Sequence, residues 1–170
     1  MLQRCLLLLC LSLLAACGTT IRNNVTNAPQ APMTAKQYVF TPITVSSTSQ
    51  TDDAKRYNEE LKVEAQTQLV TLVRSKKAVW VKAPAKAPTI VVTINANYGN
   101  RGIRLIPPIF RGRAGQALIA VDIQLRGPDG HILYATHTEG KLRRGVLGGD
   151  ALNVAKRTVS DAFADFGKRL

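Results

Sequence analysis

The sequence predicts an α+β fold: a two-layer α/β sandwich in β-α-β-β-β-α order. Its small mixed or antiparallel sheet carries two helices packed on one face. Three observations lead there. Residues 51–77 and 150–166 place apolar side chains at helical spacing along one stripe. Residues 89–97 and 117–125 are runs rich in aliphatic and β-branched residues, as strands are. Gly127-Pro128-Asp129-Gly130 between two apolar runs is a turn sequence: proline presets φ, Asp bonds its own backbone, and Gly130 tolerates positive φ. Two amphipathic helices and one small sheet bury their apolar faces only against each other.

The chain begins with a short segment holding one positive charge, Met1 to Arg4, followed by a leucine-dominated stretch, Cys5 to Leu14. That stretch is too short for a bilayer core of about 30 Å, which needs about 20 helical residues. Leu14-Ala15-Ala16-Cys17 closes it and resembles the lipobox of bacterial lipoproteins. The resemblance implies cleavage before Cys17 and acylation of its thiol, palmitate included. An ordinary secretory signal with a chance cysteine is the alternative. The implied organisation is a signal peptide at 1–16, a flexible tether at 17–36 and a single periplasmic α/β domain at 37–170. In enterobacterial lipoproteins an aspartate after the cysteine retains the protein at the inner membrane. Gly18 therefore implies the outer membrane, facing the periplasm. Cys5 and Cys10 fall in the removed segment, so the mature chain has no cysteine pair for a disulfide.

Gly18 to Lys36 is polar, with prolines and almost no large apolar residue, and reads as the tether. Fully extended, it reaches about 60 Å at about 3.3 Å per residue, enough to hold the domain clear of the membrane. Tyr38 to Val45 reads as a strand, and Pro42 makes it an edge strand or a bulged one. The first helix places Ala54, Tyr57, Leu61, Ala65, Leu69, Leu72 and Val73 on one stripe. Thr51 or Ser49 caps it, Asp52 and Asp53 sit at its positive end, and Arg74, Lys76 and Lys77 at its negative end. Pro84 and Pro88 mark a stiff connector. Ile90, Val92, Ile94 and Ala96 share one face of the next strand. Residues 117–125 are apolar on both sides, which predicts a central strand at least partly covered on both faces. The returning strand, 131–142, has an open register: Leu125 faces either Ile132 or Leu133, and that slip exchanges its core and solvent faces. The second helix carries Leu152, Ala155, Val159, Ala162, Phe163 and Phe166, with Asp150 as N-cap.

Arg111-Gly112-Arg113-Ala114-Gly115, the apolar strand after it, the Pro-Asp-Gly hairpin, the Gly-containing linker 145–149 and the Ala-rich last helix together resemble a group of small bacterial lipoproteins of unknown function. Their fold is similar to the periplasmic region of the curli-secretion-channel lipoprotein and to lipoprotein activators of penicillin-binding proteins. The resemblance covers residues 89–170 and brings no catalytic residues.

Without residues 1–16, 22 basic and 11 acidic side chains remain, a net charge of +11. In a cytosolic protein this balance suggests nucleic acid. The export signal removes that partner and leaves lipid head groups, lipopolysaccharide phosphates and cell-wall polymers. No metal or other cofactor is expected: His131 and His137 are separated by about 20 Å along a strand at about 3.3 Å per residue. No Gly-x-Ser-x-Gly sequence is present, so no enzyme activity is expected. Asp122, mid-strand, reads as a solvated or arginine-paired carboxylate. Gly148-Gly149 lacks the spacing and the following Lys-Ser/Thr of a phosphate loop, and reads as a flexible helix start.

The remaining feature is a basic cluster. Arg101, Arg104, Arg111 and Arg113 flank one loop, and Lys141, Arg143 and Arg144 end the hairpin. Together they form either an anion-binding surface or a solvated rim. Within the loop, Leu105, Ile106, Ile109 and Phe110 are apolar, making either a partner- or membrane-contacting tip or a cover over the core. The resulting expectation is a non-enzymatic protein, anchored to the outer membrane by lipid, that binds an anionic polymer or lipid of the envelope through the arginine-rich loop. The alternative is an accessory subunit of a secretion or envelope-assembly complex that contacts an envelope protein through the apolar tip.

Overall fold

The computed structural model describes residues 19–27, 35–81, 86–97, 117–142 and 151–170. Seven strands form one sheet: β1 (Thr19–Asn27), β2 (Gln37–Phe40), β3 (Thr44–Ser47), β4 (Val79–Trp80), β5 (Thr89–Asn97), β6 (Ala117–Arg126) and β7 (Ile132–Leu142). Among the described residues the helices are α1 (Asp52–Ser75) and α2 (Ala151–Gly167). The sheet runs β1-β7-β6-β5-β2-β4, with β3 beside the second half of β5. The β1-β7-β6-β5 block is antiparallel, while β2 and β3 are parallel to β5 and β4 is parallel to β2. The expected α+β class is therefore the observed one, with a mixed sheet and two helices.

The α1 sequence folds locally for the reasons its pattern predicts. Thr51 Oγ1 accepts from the Ala54 N–H and satisfies one of the orphan donors of the first turn. Ala54, Leu61, Ala65, Leu69, Leu72 and Val73 are buried. The helix stops at Ser75, short of the expected Lys77. Lys77 has a φ of 52°, and its N–H donates to Arg74 O while the Ala78 N–H donates to Val73 O, a hydrogen-bonded helix end. In α2, Ala155, Val159, Ala162, Phe163 and Phe166 are buried. The expected N-cap, Asp150, lies outside the described residues. Lys156 Nζ reaches Glu60 Oε2 at 2.7 Å and ties the two helices together. Both stripes meet Ile90, Val92 and Ile94 of β5, Ile119, Val121, Ile123 and Leu125 of β6, and Tyr134 of β7 in one core.

Three expectations are corrected. Residues 19–27, expected inside the flexible tether, form β1, which pairs along β7 from Thr19↔Leu142 to Asn27↔Ala135. Its sequence lacks alternation because an edge strand needs only backbone pairing on one side. The expected strand 38–45 is two strands. Pro42 interrupts the ladder, β2 pairs with the start of β5 (Val39↔Thr89), and β3 pairs with its second half (Thr44↔Thr93). The connector after α1 contains a further two-residue strand, β4, against β2. The central strand with at least partial cover on both faces, expected for β6, is the observed one. Ile119, Val121, Ile123 and Leu125 are buried, whereas Leu118, Ala120, Asp122 and Gln124 on the outer face are half-buried.

The hairpin register is neither of the two left open. Leu125 faces Tyr134, Arg126 faces Ile132, and Leu133 is the extra residue between them. The turn closes with the Gly127 N–H donating to His131 O and the Gly130 N–H to Gly127 O, Gly130 having a φ of 85°. The bulge places Tyr134, Thr136, Thr138 and Gly140 under α2, and Ala135, His137, Glu139 and Lys141 on the outer face.

Candidate functional site

Pairing brings five strand ends to one end of the sheet. Leu142, the last residue of β7, pairs with Thr19 at the start of β1 and with Ala117 at the start of β6. Asn97, the last residue of β5, pairs with Leu118. Ser47, the last residue of β3, pairs with Ala96, so α1 also starts from this end. Arg101, Arg104, Arg111, Arg113, Arg143 and Arg144 lie outside the described residues, as do Leu105, Ile106, Ile109, Phe110 and Cys17. Connectivity nevertheless places the roots of their segments. The chain leaves for 98–116 from Asn97 and returns at Ala117, and it leaves for 143–150 from Leu142, all at this end. Of the expected basic cluster, Lys141 is described. It is exposed on the outer face, with Nζ 3.0 Å from Glu139 Oε2.

Lys141 is the last member of a charged chain across the outer face, which sequence reasoning did not assemble. Asp122 on β6 stands opposite His137 on β7, and its Oδ1 lies 2.7 Å from His137 Nδ1. The other ring nitrogen, Nε2, is 3.5 Å from Glu139 Oε1. Glu139 in turn meets Lys141, and Arg22 of β1 stands opposite Glu139 in the register. Asn24 faces His137 from β1, and Thr93 faces Asp122 from β5. Asp122 is thus a paired strand aspartate, and its partner is a histidine rather than an arginine. An imidazole donates from both nitrogens only when protonated, so this arrangement selects the imidazolium. The hydrogen bond to Asp122 raises the His137 pKa above its ordinary 6.5; partial burial opposes it, and the Asp122 charge and then Glu139 add to the rise. The Glu139 pKa is lowered from 4.5, chiefly by the hydrogen bond from Lys141 and next by that from His137.

The two shifts act at opposite ends of a pH window. A raised histidine pKa contributes stability that is complete below about pH 6.5 and is lost as pH rises through the folded value. A lowered carboxylate pKa contributes stability present above about pH 4.5 and lost as pH falls. Both contributions are in place between those values. The urea midpoint of the mature chain is therefore expected to decline from pH 6.5 to pH 8. His137→Asn is expected to flatten that decline. An equal slope in the variant would refute the role given to His137.

His131 lies in the turn, exposed, with Nδ1 3.8 Å from Asp129 Oδ2, and His137 lies mid-strand. Among the described residues no three His, Cys, Asp or Glu side chains group as a metal site requires. No described helix is long and apolar enough to cross a membrane.

No family model matches the chain, and no curated protein does. Solved structures align with it. A neuraminyllactose-binding hemagglutinin homolog from Helicobacter pylori aligns with a TM-score of 0.52 at 8% identity, covering 85% of this chain and 88% of that one. The PelC dodecamer from Paraburkholderia phytofirmans aligns with a TM-score of 0.45 at 15% identity, covering 86% and 96%. A minor lipoprotein from Acinetobacter baumannii aligns with a TM-score of 0.44 at 14% identity, covering 81% and 91%. At 8% identity the likeness to the hemagglutinin homolog concerns the fold alone.

Proposed function

We propose that this chain is a non-enzymatic lipoprotein of the bacterial envelope, acylated at Cys17 and held at the outer membrane, facing the periplasm. There it binds the anionic surface of the envelope, the phosphates of lipid head groups or lipopolysaccharide, through the arginines of 98–116 and 143–150. One observation carries the reading: Thr19, two residues after Cys17, is already paired with Leu142. Two residues span at most about 7 Å. A lipid on Cys17 therefore does not dangle the domain on a long tether. It seats one end of the sheet against the membrane, and that end is the root of both arginine-bearing segments. Residues 98–116 carry four arginines and no acidic residue, and residues 143–150 add Arg143 and Arg144 against Asp150. Each cation near an anionic leaflet contributes about 1 kcal/mol, so even a partial set holds the domain down. The apolar run Leu105 to Phe110 lies between the arginines in sequence, suited to contact at the head-group boundary.

Two measurements test this. In cells, Cys17→Ser is expected to prevent acylation and leave the protein removable from the membrane fraction by high salt, which does not release the acylated wild type; a mature wild-type chain without the mass of acyl groups would overturn the anchoring. In vitro, the unacylated mature chain is expected to sediment with vesicles containing an anionic lipid and not with neutral ones, increasingly weakly as salt rises. Reversing Arg111, Arg113, Arg143 and Arg144 to glutamate is expected to weaken that binding by at least about tenfold. Unchanged sedimentation would remove the arginines from the function.

A further inference from the structure

A second binding feature lies on the flank of the domain, independent of any lipid anchor. The strand β3 pairs with β5 on one side, from Thr44↔Thr93 to Ser47↔Ala96, and no described strand pairs with its other side. Beside that open edge runs a groove of about 670 Å³ between β3 and the first turns of α1. Ile43, Thr44 and Val45 line it from the strand, and Lys55, Arg56 and Lys62 from the helix, with Glu59 the single acidic side chain.

We propose that this groove takes an extended acidic peptide segment, which adds to β3 as a parallel or antiparallel strand. An unpaired strand edge offers alternating N–H and C=O groups, which a peptide backbone satisfies and a glycan or lipid head group does not. The helix wall supplies the selection by charge. Lys55, Glu59 and Lys62 are spaced i, i+4 and i+7 and so follow one line along α1. From Lys55 to Lys62 that line is about 10 Å at about 1.5 Å per residue, the length of about three residues of strand at about 3.3 Å each. Side chains of an added strand alternate between the two faces, so acidic residues at alternate positions all meet the helix. The cations are available. Lys55 and Arg56 hold Asp52 and Asp53 at 3.4 Å, but both are more than half exposed, and such pairs exchange at little cost. Lys62 has no ion pair among the described residues. Lysines that guard an edge strand against pairing stand on the strand itself. Here the exposed strand residues are Thr44 and Ser46, which are uncharged, and the lysines stand on the opposite wall.

The test is fluorescence anisotropy of the mature chain with a labelled six-residue peptide alternating glutamate and valine. Saturable binding is expected, weakened at least fivefold by Lys55→Glu with Lys62→Glu and lost when alternate peptide amides are N-methylated. Lys62→Ala, with Lys76→Ala outside the groove as a control, repeats the charge test should the double variant fail to fold. No binding, binding that survives N-methylation, or binding matched by an anionic glycan or anionic vesicle at equal charge overturns the proposal.

Discussion

Phe166→Ala is expected to destabilise the domain by about 3–5 kcal/mol, the range for deleting a fully buried phenylalanine. Phe166 is completely buried near the end of α2, and its ring stacks on Tyr134, centroids 5.0 Å apart and 18° from parallel. Tyr134 faces Leu125 on β6, so this one contact joins α2 to the middle of the sheet through the bulged strand. The substitution removes the apolar area, the stacking and the support beneath the Tyr134 hydroxyl, which is already buried without a hydrogen-bond partner among the described residues. In a domain of this size each kcal/mol moves the melting temperature by about 2–4 °C, so a fall of about 10 °C is expected. Urea and thermal unfolding of the mature chain measure it. Val63→Ala, on the exposed side of α1, is the matched control and is expected to stay within about 0.5 kcal/mol. A loss below about 1 kcal/mol for Phe166→Ala would mean that α2 is not seated on the sheet as described.

What the sequence shows and what it hides follow from how each element is held. The helix α1 is legible because propensity, capping by Thr51 and the stripe from Ala54 to Val73 all agree, and its burial follows that stripe. The strand β5 is legible for the same reason, with Ile90, Val92, Ile94 and Ala96 inward. The face of β7 is not, because its inward positions are Tyr134, Thr136, Thr138 and Gly140 while Ala135 points outward. A close helix requires small or hydroxylated residues beneath it, and that requirement erases the hydrophobic alternation from which register is read. The strand β1 is hidden for another reason: Thr19-Thr20-Ile21-Arg22-Asn23-Asn24-Val25 has little to bury, and its order comes from the backbone of β7. The candidate site inherits both difficulties. Its arginines are plain as charge, but their relation to Cys17 depends on the pairing of Thr19 with Leu142. The contact between Asp122 and His137 depends on a register shifted by the bulge at Leu133, and sequence spacing alone cannot supply either.

Gly140 concentrates that argument into one position, and Gly140→Ala is expected to cost about 1–3 kcal/mol by overpacking. A β-carbon added there falls inside van der Waals contact of the Thr158 hydroxyl and against the Thr158 Cβ and Cγ2, because α2 crosses β7 at this point. The backbone is not the obstacle, since the positive-φ glycine of the described residues is Gly130. With steric cost removed, Gly→Ala in a compatible conformation is worth about 0.4–1 kcal/mol of stabilisation. Thr158→Ala removes the hydroxyl and the γ-methyl, giving up a bond from Oγ1 to Val154 O that competes with the helix ladder. That single change is expected to lie near neutral, and the double variant is expected to recover at least about 1 kcal/mol of the Gly140→Ala loss, a coupling measurable by a double-mutant cycle. Additive losses would show that the helix does not press on the sheet there. The consequence reaches the site: Gly140 pairs with Ile21 of β1 and Ile119 of β6, two residues before Leu142. A wedge at Gly140 lifts α2 away from the strand that holds β1 in register. Amide exchange in β1 is therefore expected to quicken in Gly140→Ala and to slow again in the double variant. Under the proposed anchoring at Cys17, the same wedge is expected to loosen the seating of the domain on a membrane.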